Sequence, residues 1–138
     1  MVVSYLEKKS LFHAEVHRKG KIEIKESFFN DAVITKNDIA RMFSLSVSAD
    51  DDHIYDVSGD GLIVSSPIGS TAYSLAAGGP IVNPNVKAMI LTPISAHGLS
   101  HRPLVLEDSS ILKIKAIPPF ESVILTIDGQ KAISIKEN

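Results

Sequence analysis

Apolar and polar residues alternate in short runs along most of the chain, and turn-forming residues separate the runs. Phe12-His13-Ala14-Glu15-Val16 alternates, breaks at Arg18-Lys19-Gly20 and resumes as Ile22-Glu23-Ile24, the pattern of two strands joined by a tight turn. Met42 to Ser48 sets Leu45 and Val47 on one side and Ser44, Ser46 and Ser48 on the other, which predicts a half-buried strand. Asp50-Asp51-Asp52 reads as a solvated turn. Ile111, Ile114 and Ile117 flank Lys113 and Lys115 in a further strand-like stretch. The clearest local signal is Val123-Ile124-Leu125-Thr126-Ile127, then Asp128-Gly129, then Ala132-Ile133-Ser134-Ile135. Asp-Gly supplies the positive φ angles of a two-residue hairpin turn between arms rich in β-branched residues.

One helix is predicted. Ser70 or Thr71 caps it, Ala72-Tyr73-Ser74-Leu75-Ala76-Ala77 propagates it, and Gly78-Gly79-Pro80 stops it. A single further helical turn is expected around Lys36 to Ala40. No strand–helix–strand rhythm recurs, so a complete Rossmann-type unit is excluded. The expected fold is all-β, a β-sandwich-like stack of layered sheets with one short helix, in one domain over residues 1–138.

Composition acts mainly by exclusion. The chain has 138 residues, with 14 basic against 16 acidic side chains and a net charge of -2. No basic face is available for nucleic acid, so none is expected as a partner. No apolar run reaches the roughly 18 residues that crossing a bilayer takes, and no membrane role is expected. The opening Met1-Val2-Val3-Ser4 lacks the features of a signal peptide. Cysteine is absent, so disulfide and thiolate chemistry are excluded, and a cytoplasmic location is expected.

Several familiar chemistries lack their residues. There is no Gly-x-x-x-x-Gly-Lys-Ser/Thr phosphate loop and no Gly-x-Ser-x-Gly elbow. His97 and His101 stand four apart, but Gly98 and Pro103 disfavour a helix there and no third ligand accompanies them; no metal site is expected. Asp50 to Asp52 lacks the glycine and distal glutamate of a calcium loop. His13, His17 and His53 fall in strand or turn contexts and read as surface residues. Residues 59 to 81 are more informative. A Gly59-Asp60-Gly61 turn presents Asp60, a buried strand Leu62 to Val64 follows, and Gly69-Ser70-Thr71 enters the helix. That arrangement gathers backbone N–H groups, hydroxyls and a helix N-terminus, which suits phosphate or ribose. Tyr73 could lay its ring against a base, or simply be half-buried behind a capped strand-to-helix turn.

The run Gly59-Asp60-Gly61-Leu62-Ile63-Val64-Ser65-Ser66-Pro67-Ile68-Gly69-Ser70-Thr71-Ala72-Tyr73-Ser74-Leu75-Ala76-Ala77-Gly78-Gly79-Pro80-Ile81 closely resembles the signature of NAD kinases, also called inorganic polyphosphate/ATP-NAD kinases. Asn30-Asp31-Ala32-Val33-Ile34, Leu91-Thr92-Pro93-Ile94-Ser95-Ala96-His97, Arg102-Pro103-Leu104-Val105-Leu106 and Thr126-Ile127-Asp128-Gly129-Gln130 fall in the family's order. The resemblance implies transfer of a phosphoryl group from ATP, or from polyphosphate, to the 2′-hydroxyl of the adenosine ribose of NAD, giving NADP with a divalent metal, normally Mg2+. It also implies an N-terminal α/β domain, a C-terminal all-β domain, and a homodimer or homotetramer whose dinucleotide site is completed across a subunit interface.

By motif, Asn30 and Asp31 match the family's Asn-Glu pair, which holds ribose hydroxyls and the adenine edge. Asp60 matches an aspartate that reaches the dinucleotide partly from a neighbouring subunit. Thr71, Ala72, Tyr73, Ser74, Leu75 and Ala76 match the segment lining the NAD pocket, and Arg41 and Gln130 two further dinucleotide contacts. Asp31 stands where glutamate is commoner, Ile68 where threonine or serine is usual, and Ser58 where many members carry a basic residue. The family's Gly-Gly-Asp-Gly motif, whose aspartate is the candidate base, does not occur here. The chain therefore resembles the C-terminal, NAD-binding domain, with no catalytic residue of its own and no activity expected in isolation. A non-catalytic dinucleotide-binding regulatory module and a lipid kinase of the diacylglycerol or sphingosine type are the alternatives.

Overall fold

The structure, a computed structural model, describes residues 11–37, 43–98 and 101–136. Strands β1 (Phe12–Arg18) and β2 (Lys21–Phe28) pair as an antiparallel ribbon. A six-stranded sheet runs in the order β11 (Lys131–Lys136), β10 (Ser122–Ile127), β3 (Asp31–Lys36), β6 (Gly61–Ser65), β7 (Ala88–Ile94) and β8 (Leu104–Glu107). A three-stranded sheet runs β5 (Asp52–Gly59), β4 (Phe43–Ala49) and β9 (Leu112–Ala116). All neighbouring pairs are antiparallel. The expected all-β layering is what forms.

Register explains why the layers hold together. Ala32 sits opposite Val64, and Val64 opposite Leu91; this row joins Leu62, Met89, Leu125 and Ile127 in one cluster with Phe43, Leu45, Val47 and Val57 of the smaller sheet. Each such side chain taken from water stabilises the fold by about 1.5–3 kcal/mol. One residue along, the period-two alternation turns Val33, Ile63 and Thr92 to the opposite face. A short helical segment covers that face, so all five residues of β6 are buried. Both faces being covered, β6 reads as an apolar run rather than as an alternation.

The predicted hairpins form. Lys19 and Gly20 adopt φ of 51° and 75°, and Asp128 and Gly129 adopt 49° and 67°, the left-handed pair that matches strand twist. Asp50 and Asp51 do the same between β4 and β5, at 50° and 70°.

Two expectations are corrected. The helix is one turn, α1 (Tyr73–Ala76), preceded by a 3-10 turn over Ile68–Thr71, and no side chain caps either. Ser70 is diverted, its hydroxyl donating to the Pro67 carbonyl at 2.6 Å and accepting from Val82 N–H at 3.0 Å. Gly59-Asp60-Gly61 is not a turn but the bend at which the chain leaves the three-stranded sheet for the six-stranded one. A Cβ on Gly59 would crowd the backbone of residues 94–96, and one on Gly61 the Ile34 carbonyl. Glycine there permits close strand approach. In β9 the inward side chains are Leu112, Ile114 and Ala116, which leaves Ile111 and Ile117 exposed. Of the turn expected at Lys36 to Ala40, Lys36 closes β3; residues 38–40 lie outside the described residues, as does Met42.

Candidate functional site

Three segments distant in sequence meet at one end of the six-stranded sheet. β3 begins there at Asp31, paired with Ser65 where β6 ends. Ser66 N–H donates to the Asn30 carbonyl at 2.9 Å, and the Ser66 hydroxyl to the Phe29 carbonyl at 2.6 Å. The same hydroxyl accepts Gly69 N–H at 3.0 Å. Gly69 lies so close to Asn30 that a Cβ would overlap its carbonyl oxygen. The third segment is the β10–β11 turn. The Asp128 carboxylate accepts N–H groups from Phe29 at 2.9 Å, Asn30 at 2.7 Å and Asp31 at 3.2 Å. In return Asp128 N–H donates to the Asp31 carbonyl at 2.9 Å.

Asp31 is electrostatically uncomfortable in this corner. As a residue it is 4% exposed. Burial first, and the nearby Asp128 charge second, raise its pKa above the usual aspartate value. A carboxylate set this deep is a group to which a ligand hydroxyl or amine can donate. Beside it, Asn30 carries an amide that both donates and accepts.

From Gly69 the chain continues through Thr71 and Ala72 into α1. Thr71 is exposed, its hydroxyl 3.3 Å from the Ile68 carbonyl. Tyr73 is 48% exposed and Leu75 is also exposed, as is Ala76. Ser74 differs from its neighbours. It is fully buried and its hydroxyl lies 2.8 Å from that of Thr92, so it anchors α1 to the sheet and offers no side chain to solvent. A four-residue helix also supplies little dipole, so the phosphate-attracting helix N-terminus expected here is not formed. Gln130 follows Gly129 and is exposed, its N–H donating to the Ile127 carbonyl at 3.0 Å.

Asp60 stands elsewhere. It immediately precedes β6, whose far end carries Ser65 and the Asn30–Asp31 corner, about 17 Å away at the usual strand rise. Its backbone bridges Ile94 and Lys36, and its carboxylate pairs with Lys36 Nζ at 2.9 Å. That hydrogen bond, with lesser help from Ser95 and His97, lowers its pKa. The structure thus brings together Asn30, Asp31, the hairpin carrying Gln130, and the segment leading to Thr71–Ala76, but not Asp60. Arg41 lies outside the described residues.

Two contributors were not singled out in the sequence as ligand-site residues. Ser66 and Asp128 hold the corner through bonds to the backbone of residues 29–31. In sequence Asp128 reads as a turn residue within a family motif, and its hold on the corner is not legible because its partners lie 97 to 99 positions away.

Layered antiparallel sheets with a short helical segment on the larger one, and a backbone-stitched polar corner at its end, define an all-β domain. The profile of the ATP-NAD kinase C-terminal domain matches residues 29–138. An NAD kinase of Solibacter usitatus is 44% identical over 95% of this chain and 46% of its own length; one of Treponema denticola is 45% identical over 96% and 47%. The chain belongs to the ATP-NAD kinase C-terminal domain family. It spans about half the length of these relatives. Among solved structures, an NAD kinase from Archaeoglobus fulgidus in complex with ATP superposes with a TM-score of 0.75 at 25% identity, over 98% of this chain and 52% of that one. Yeast NADH kinase complexed with NADH gives 0.73 at 34% identity, over 82% and 34%.

Proposed function

We propose that this chain is the NAD-binding part of an NAD kinase, the enzyme that phosphorylates the 2′-hydroxyl of the adenosine ribose of NAD with ATP or polyphosphate. The observation that carries the reading is the corner itself, where the buried Asp31, its pKa raised by burial, adjoins the Asn30 amide. A vicinal diol supplies donors and acceptors that suit such a pair. Tyr73, half-exposed on α1, is the ring available for a nucleobase. Thr71, Ala72, Leu75, Ala76 and Gln130 line the approach in this reading; Ser74 acts from beneath as an anchor, and Arg41 is a further proposed contact.

Within this reading the chain binds and orients, which are main resources of phosphoryl transfer. Mg2+ would neutralise charge on the transferred phosphoryl group. Among the described residues no cluster of three or more His, Asp or Glu could hold a metal ion. The lone pairs of Asp128 are already directed at backbone N–H groups. The described residues by themselves do not fit such an ion.

Asp60 stands about 17 Å along the sheet from the corner, which favours its supply to a corner-bound ligand from a second copy. A homodimer or homotetramer with shared sites is therefore part of the proposal, as is a cytoplasmic location. Titration calorimetry of the chain with NAD, paired with sedimentation, tests both parts. Saturable NAD binding by a species heavier than the 14.9 kDa monomer, without NADP formation from added ATP, is the expected result. No saturable heat with NAD overturns the binding role. Tight binding by a clean monomer overturns the shared site.

A further inference from the structure

We propose that Asp128 is a positioning residue for the dinucleotide: by accepting three successive backbone N–H groups it holds Asn30 and Asp31 in the arrangement that receives the ribose. This rests on the NAD-binding reading above and adds to it a residue that does not itself touch the ligand.

The geometry is specific. One carboxylate oxygen takes Asn30 N–H at 2.7 Å and Asp31 N–H at 3.2 Å, and both oxygens lie within 3.1 Å of Phe29 N. Three donors converging on one side chain curl the backbone of residues 29–31 just before β3 begins, so the acceptor sets where the two following side chains start. A charged acceptor makes such bonds shorter and stronger than a neutral one. It is also the only kind that can serve donors with both of its atoms. An asparagine amide offers one oxygen, and its NH2 would face a backbone donor.

Turn chemistry alone does not call for a carboxylate at this place. At φ of 49° asparagine serves a two-residue hairpin equally well. The charge carries a cost, because it disfavours ionisation of the buried Asp31 beside it. A residue that only turned the chain would do better uncharged. What the carboxylate secures is the conformation of residues 29–31, which also rest on Ser66 through the Phe29 and Asn30 carbonyls.

The test uses Asp128→Asn, which keeps shape and turn propensity, and Asp128→Gly, which keeps the positive φ and removes the acceptor. Both are titrated with NAD by calorimetry well below their melting temperatures, and the backbone amide resonances of residues 29–31 are followed by NMR. Amide protons bonded to a carboxylate stand downfield. The expected result is at least a tenfold loss of NAD affinity in both variants, with amide shifts concentrated at Phe29, Asn30 and Asp31. NAD affinity within twofold of wild type, once those downfield signals are lost, overturns the positioning role. So does failure of both variants to fold, which would assign Asp128 to the fold rather than to the ligand. Absence of NAD binding by the wild-type chain overturns the functional reading and this role together. That failure is told apart because it appears before any substitution is made.

Discussion

The hydroxyls of Ser74 and Thr92 meet at 2.8 Å with neither residue exposed to solvent, and this bond fastens α1 to strand β7 of the six-stranded sheet. The segment proposed to line the nucleotide pocket is thus held from below by a polar pair. Thr92→Val removes one partner while keeping the shape, which leaves the buried Ser74 hydroxyl unsatisfied at a cost of about 1–3 kcal/mol. At about 4 °C for each kcal/mol, the melting temperature should fall measurably by calorimetry. Thr92→Ser, which retains a hydroxyl, should recover part of the loss.

Gly69→Ala places a methyl group into the Asn30 carbonyl oxygen. Both sides of this contact are backbone, so neither can rotate away. Overpacking of this kind costs about 1–3 kcal/mol, and here the strain falls on the corner itself. Urea unfolding should register the destabilisation, and NAD affinity should fall further than stability alone predicts.

Tyr73→Ala should separate binding from folding. With the residue 48% exposed, its loss should move the melting temperature by only about 1–2 °C, since surface substitutions away from special features stay near 0.5 kcal/mol. Stacking of a base on an aromatic ring is worth about 1–3 kcal/mol, so NAD affinity should drop about tenfold. Unchanged affinity in the titration would remove Tyr73 from the pocket.

Asp31 makes stability depend on pH in a defined direction. Its folded pKa is raised above 3.8, so the native state holds this proton more tightly than the unfolded chain does. Stability therefore declines as pH rises from the unfolded value through the raised folded one. Asp31→Asn removes that decline. The variant should be more stable than wild type at pH 7 and converge with it near pH 3, measured as urea midpoints across the range. Its NAD affinity at pH 7 should nevertheless fall, because a charged acceptor has been replaced by an amide.

Two hairpins were legible because their cause is local: alternation over a few residues, and Lys-Gly or Asp-Gly at the turn; at Asp50 and Asp51 only the turn was legible, not the strand that follows it. The length of the helix was not. Ser70 and Thr71 look like caps in sequence, yet Ser70 bonds to Pro67 and Val82 and Thr71 turns back toward Ile68. Competition from tertiary partners shortened the element to one turn. In the same way Ser74 looks like part of a polar pocket lining until Thr92, 18 residues on, is seen to take its hydroxyl.

The strand pattern, the Asp128-Gly129 turn, the family signature and the candidate pair Asn30 and Asp31 are properties of contiguous residues, and the sequence by itself determined them. Which candidates share one place was decided by the tertiary structure alone. Antiparallel pairing of β3 with β6 sets Asp31 against Ser65 and leaves Asp60 at the other end of the same strand, although Asp60 and Tyr73 belong to one continuous motif. The physical reason is strand geometry: about 3.3 Å of rise per residue carries a five-residue strand across the sheet. The carboxylate that organises the corner returns to it only because β10 lies beside β3 in the folded sheet.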